Sequence, residues 1–132
     1  YVAITSRLYY CVLIDWTSTF DGFLDRLEAE GGQRLILLLS LLEVLEHLEE
    51  VPVQESATLK RVRQGHRYPL WRIAHPFVPG IAMRLIVWFA PSGEVVVAAT
   101  AFDKAGVGDV WYASAVTTAN AVIDEWKRVN AK

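Results

Sequence analysis

Six basic residues and no acidic one fall between Leu59 and Gly93: Lys60, Arg61, Arg63, Arg67, Arg72 and Arg84, with His66 and His75 among them. Residues 1–58 carry three basic and ten acidic residues, whereas residues 59–132 carry ten basic and five acidic. The formal net charge of −2 hides this asymmetry. A local cationic zone on a mildly acidic chain points to a phosphate-rich ligand, a partner class that net charge alone does not suggest.

Two of these arginines sit inside apolar strands. Alternation puts Leu70, Arg72 and Ala74 on one face of a strand, and Arg84, Ile86 and Trp88 on one face of the next. A guanidinium there must reach water, a carboxylate or a ligand phosphate, because burying it alone is costly. Arg72 and Arg84 therefore read either as sheet-surface arginines or as a phosphate clamp. Lys104 reads as an ordinary loop lysine. Lys60, Arg61 and Arg63 read as a solvated run or, with the aromatics Tyr68 and Trp71, as a surface that holds single-stranded RNA through phosphates and stacking.

The remaining candidates are sparse. His66 and His75 are too few and wrongly spaced for a metal site, and each is a candidate general base. His47 lies among glutamates and reads as a surface residue. Asp103 and Asp109 flank a loop, with nothing to pair them as metal ligands. No phosphate loop, dinucleotide fingerprint, nucleophile elbow or paired-carboxylate signal is present, so neither cofactor nor metal is expected. Cys11 is the single cysteine, which rules out an internal disulfide; it sits in an apolar stretch and reads as strand packing in a reducing cytoplasm, with a nucleophile as the alternative.

The elements that must position these residues follow from periodicity. Leu8 to Trp16 is rich in β-formers and predicts a first strand. Ser18, with Asp21 three residues on, resembles a capping box, and Phe20, Phe23, Leu24 and Leu27 keep helical spacing up to Gly31-Gly32. A second helix is predicted from Gln33 to Glu50 and closed by Pro52. Its early part is apolar nearly all round and needs cover from the sheet, a second copy or another protein. Residues 53–67 read as loop or irregular strand. Strands are predicted over Tyr68–His75, Met83–Ala90 and Glu94–Phe102, with a tight turn at Pro91-Ser92-Gly93. Asp109 is placed to cap a last helix, Val110 to Arg128, burying Trp111, Ala115, Val122 and Trp126. This β-α-α-β-β-β-α order predicts an α+β fold: a helical hairpin against a small antiparallel-rich sheet, with a C-terminal helix.

At 132 residues, 53% apolar and 21% charged, the chain is expected to form one domain, residues 1–132, with a sizeable core. The apolar run Leu35 to Leu42 falls far short of the roughly 20 residues that span a bilayer, so no membrane anchor is expected. No targeting segment is read in the chain.

The motifs "YPLWRIAHP", "MRLIVWF", "GEVVVAATAFDKAGVGD" and "VWYASAVTTANAVIDEW", in that order, resemble the RelE/HigB-type toxins of bacterial type II toxin–antitoxin systems, in particular the phage-derived HigB-like group. Leu70-Trp71-Arg72 is similar to that group's first arginine strand, Met83-Arg84-Leu85 to its second, Phe102-Asp103-Lys104 to its strand ending in paired lysines, and Ala115 to the small residue of its last helix. "DWTSTFDGFLDRL" is similar to its first strand and helix. The resemblance implies a RelE/ParE-like fold and a cytoplasmic toxin neutralised by a cognate antitoxin, of helix-turn-helix type. It implies a metal-independent endoribonuclease that cuts mRNA, in most members on the ribosome, inhibiting translation and growth, with the ribose 2′-OH as nucleophile. By position, Arg72, Arg84 and Lys104 would stabilise the scissile phosphate, while His75 and Tyr112 are candidates for the general base. The chain departs from the pattern where Asp103 replaces one of the paired lysines, in its acidic overall balance, and in the long insert "HPFVPGIA". These departures keep two alternatives open: a non-enzymatic ParE-like toxin that binds a protein target such as DNA gyrase, and an inactive member of the family. A homodimer is a further expectation; the apolar helix over 35–45 is expected to pack against the sheet, the alternative being a partner that covers it and its acidic extension Glu43, Glu46, Glu49 and Glu50.

Overall fold

The computed structural model describes residues 13–48, 51–74, 80–105 and 111–131. Cys11, Glu49, Glu50, His75 and Asp109 lie outside them. The elements run β1 (Leu13–Asp15), α1 (Ser18–Glu30), α2 (Gln33–Glu46), β2 (Leu59–Arg61), β3 (Trp71–Ala74), β4 (Met83–Phe89), β5 (Val95–Asp103) and α3 (Trp111–Asn130). The five strands form one sheet in the order β1-β5-β4-β3-β2. β1 pairs with β5 in parallel, and the other neighbours are antiparallel. The fold is α+β, with a helical hairpin on a small antiparallel-rich sheet and a C-terminal helix.

Strict alternation along β4 divides the core. Leu85 and Val87 join Ile73, Val96 and Ala98 on the side covered by α1 and α2, through Phe20, Leu27, Leu38, Leu41 and Leu45. Ile86 and Trp88 join Leu70, Val97 and Ala99 on the other side, covered by α3 through Tyr112, Ala115, Val116, Ala119, Val122 and Ile123. Both faces of the sheet are thus apolar, which is why β4 and β5 read as nearly continuous hydrophobic runs. Opposite Ile86 and Val87 stand Thr100 and Ala98, so Ala99 is the extra residue of a β-bulge.

Four sequence expectations change in detail. The stretch left between loop and irregular strand contains β2, too short for a period-2 pattern to declare itself. α1 is N-capped by Thr17 rather than Ser18, without a side-chain capping bond; Asp21 instead accepts the Trp16 indole N–H at 3.3 Å. α2 ends at Glu46, well before Pro52, with His47 as its C-cap. Trp111 is 44% exposed rather than buried, because the apolar stripe of α3 starts one residue later, at Tyr112, about 100° further round the helix.

The apolar face of α2 is only partly covered. Leu38, Leu41 and Leu45 are fully enclosed against the sheet, whereas Ile36 and Leu39 stay 61% and 50% exposed. Leu41→Ala is therefore expected to cost about 2–5 kcal/mol, against less than about 1 kcal/mol for Leu39→Ala. Denaturant unfolding of the two variants checks this; equal losses would mean that α2 packs differently.

Candidate functional site

The β2–β3 pairing places Lys60 directly opposite Arg72. Arg72 in turn stands opposite Ile86, and Ala74 opposite Arg84. Arg72 and Arg84 are therefore diagonal neighbours on one sheet face, the face that carries α3. Arg84 also stands opposite Phe102, so the next residue of that parity on the chain is Lys104. The Lys104 backbone N–H donates to Ala82 O at 2.8 Å, which extends the β4–β5 pairing by one more bond.

A cleft of about 340 Å³ opens there, lined by Glu55, Lys60, Arg61, Val62, Arg63, Gln64, Arg72, Lys104 and Tyr112. Five of the nine are cations. Among the described residues no carboxylate pairs with Lys60, Arg63 or Arg72. Arg61 lays its guanidinium over the Trp71 ring, 5.4 Å from the centroid, and the Lys104 ammonium sits 5.6 Å from the Tyr112 centroid. Tyr112 itself is 6% exposed, and its hydroxyl has no hydrogen-bond partner among the described residues. Its ring is fixed edge-on to Phe102 at 5.3 Å. The cations that line the cleft make it a favourable place for an anion.

The structure thus brings together Arg72, Lys104, Lys60 and Arg63, turns the Arg61 guanidinium from the edge of the cleft onto Trp71, and leaves two other candidates outside the cleft lining. Arg84 is half-buried and turns Nη1 onto its own neighbour's carbonyl, Met83 O, at 3.1 Å; its Nε is buried without a partner among the described residues. Tyr68 belongs to a structural clamp. Its hydroxyl donates to Asp124 Oδ1, its ring packs on Trp88 at 5.4 Å, and Arg67 and Lys127 lie 5.4 and 5.2 Å from its centroid. Arg67 also pairs with Asp124 at 2.9 Å. The Tyr68 hydroxyl, then Arg67, hold the Asp124 carboxyl below the usual range. This clamp ties the β2–β3 connection to α3, and Tyr68 is not placed to stack a base in the cleft. His66 is exposed and outside it as well.

Asp103, the acid standing where the resembling family has a lysine, has a different task. Its carboxylate accepts the backbone N–H of Ala82 at 2.8 Å and of Ala105 at 3.0 Å and an Arg34 N–H at 3.0 Å. Burial alone would raise its pKa, but the two backbone donors and Arg34 outweigh it and hold the carboxyl below the usual range. Asp103 therefore joins α2, the entry to β4 and the loop after β5, and steadies the backbone that presents Lys104.

Glu55 was not among the residues singled out from sequence. It is the last acid before the acid-free stretch, and that position next to the Lys60–Arg61 run is the signal that could have found it. Among the described residues no three His, Cys, Asp or Glu side chains gather as a metal site, and no helix is long and apolar enough to cross a membrane.

Comparison with known proteins gives no match to a family model, a curated protein or a solved structure.

The depressed Asp103 carboxyl predicts a pH signature. Its folded pKa lies below the unfolded value, so its contribution to stability is complete above the unfolded pKa of about 4 and is lost as pH falls through the folded value. Asp103→Asn should be less stable than the parent at pH 7, with the gap closing in acid. Denaturation curves at several pH values check this; a gap that does not change with pH would remove the ionised carboxylate from the account.

Proposed function

We propose that the cleft holds phosphates of single-stranded RNA, and that the protein is a RelE/HigB-type toxin: a cytoplasmic, metal-independent endoribonuclease cutting mRNA on the ribosome, held in check by an antitoxin. The observation that carries this reading is the convergence of Arg72 and Lys104 with Lys60 and Arg63 in one cleft on the α3 face of the sheet. Arg72 comes from β3 and Lys104 from the loop that follows β5, and both line the same cleft.

The chemistry follows from the substrate. Single-stranded RNA carries its own nucleophile, the 2′-OH beside each phosphodiester, so a site need only align it with phosphorus and stabilise the charge that builds on the phosphoryl oxygens. Arg72 supplies a planar fork suited to two phosphate oxygens, while Lys60 and Lys104 supply point charges. Arg61 and Arg63, exposed at the rim, suit neighbouring phosphates of the same strand.

A second reading, a non-enzymatic ParE-like toxin that grips a protein target, takes its support from Arg84 and Asp103. Both stand at positions where the resembling nucleases carry working cations, and here one turns to a main-chain carbonyl while the other is a carboxylate engaged in the fold.

Induced expression in a bacterial host without antitoxin distinguishes the two, with growth and 5′-end mapping of transcripts followed together. Growth arrest with new transcript ends is expected. Arg72→Ala with Lys104→Ala should reduce cleavage by at least about 10²-fold, the usual loss when a preorganised electrostatic contact is removed. Arrest with intact transcripts would transfer the assignment to the protein-target reading.

A further inference from the structure

Resting on the ribonuclease reading, we propose that Glu55 is the general base that accepts the proton of the attacking 2′-hydroxyl. Lysine ammonium and arginine guanidinium groups only donate, so the five cations of the cleft cannot take this proton. The Gln64 carbonyl accepts hydrogen bonds but is too weak a base to carry a proton. Tyr112 is a hydroxyl in its neutral form and must lose its own proton first. Glu55 is the one carboxylate lining the cleft among the described residues.

Its position is built rather than incidental. Ser56 N–H donates to Leu59 O at 2.8 Å, and Leu59 N–H donates back to Ser56 Oγ at 3.1 Å. This turn folds the segment before β2 onto the strand itself. Thr58 O accepts Ala74 N–H at 3.1 Å, which ties the turn to β3. The Arg61 backbone N–H then donates to Glu55 Oε2 at 2.8 Å. A single main-chain bond orients the carboxylate and leaves its lone pairs able to accept from a substrate. Lys60, opposite Arg72, stands on the same short strand that holds Glu55.

In the step, Glu55 takes the 2′-OH proton as the 2′-oxygen forms its bond to phosphorus. The P–O5′ bond breaks with its electron pair on O5′, which takes a proton from solvent. The products are a 2′,3′-cyclic phosphate and a 5′-hydroxyl end, and Glu55 returns its proton to water. Arg72 and Lys104 stabilise the phosphoryl oxygens throughout.

The test uses the full chain, an oligoribonucleotide containing a mapped cleavage site, and the same oligonucleotide with 2′-O-methyl at that nucleotide as a binding probe. Glu55→Gln keeps an oxygen for the Arg61 N–H and removes a negative charge from a cationic cleft. Its affinity for the methylated probe should be unchanged or higher, while its single-turnover cleavage falls by about 10²–10⁴-fold. The acid limb of the parent's pH–rate profile should disappear with it. Cleavage by Glu55→Gln at the parental rate, or with the parental acid limb, overturns the assignment of Glu55 and leaves the ribonuclease reading intact. A parent that binds the methylated probe but cuts the unmodified strand neither free nor on programmed ribosomes overturns the ribonuclease reading itself, and the general base with it.

Discussion

An arginine that rises from an interior strand of a sheet sets the terms for everything around it. Arg72 belongs to β3, flanked by β2 and β4, on a face that α3 otherwise seals with apolar side chains. Its charge cannot be buried without a partner, and among the described residues no acid pairs with it. The face must therefore stay open beside Arg72. It does so because Lys60, Lys104 and Tyr112 surround a cleft there instead of closing over it. The same like charges repel one another, and such a group is held together by the covalent fold beneath it, at a cost that an anionic ligand would remove.

The fold answers that demand with two clamps that lie away from the cleft. Asp103 secures the end of β5, so Lys104 leaves the sheet in a fixed direction. Asp124 gathers Tyr68 and Arg67, which fixes the β2–β3 connection against α3. Trp126 adds a 2.8 Å bond from its indole N–H to Asp15, tying the far end of α3 to β1. Asp103, Asp124 and Asp15 thus hold the frame, while the opening is lined mainly by basic residues with Glu55 as its one acid among the described residues. That division explains how a chain of net charge −2 presents a cationic surface.

Much of this was legible in the sequence. The charge segregation and the alternation around Arg72 and Arg84 are one-dimensional patterns, and both survive into three dimensions: the two arginines share a face, and Arg72 lines one cleft with Lys60, Arg63 and Lys104. Side-chain direction at the ends of elements was not legible. Arg84 shares the face but turns to Met83 O, and Tyr68 is drawn to Asp124, an α3 residue 56 positions away. Periodicity cannot register such a contact. Glu55 was hidden for a related reason: its place depends on a turn closed by Ser56 and Leu59 and on a main-chain bond from Arg61, none of which leaves a recurring pattern. The RelE/HigB resemblance rests on short motifs in order, and its site residues divide in the same way, with Arg72 and Lys104 in the cleft and Arg84 beside it.

The central claim is that single-stranded RNA lies in this cleft. Photocrosslinking tests it most directly: a 2′-O-methylated oligonucleotide carrying photoreactive bases is irradiated with the protein, and the attached peptides are mapped by mass spectrometry. The account predicts attachment within residues 55–64, around Arg72, and at Lys104 and Tyr112. Attachment confined to the Arg67–Lys127 region or to α2, with the cleft residues unmodified, would contradict it.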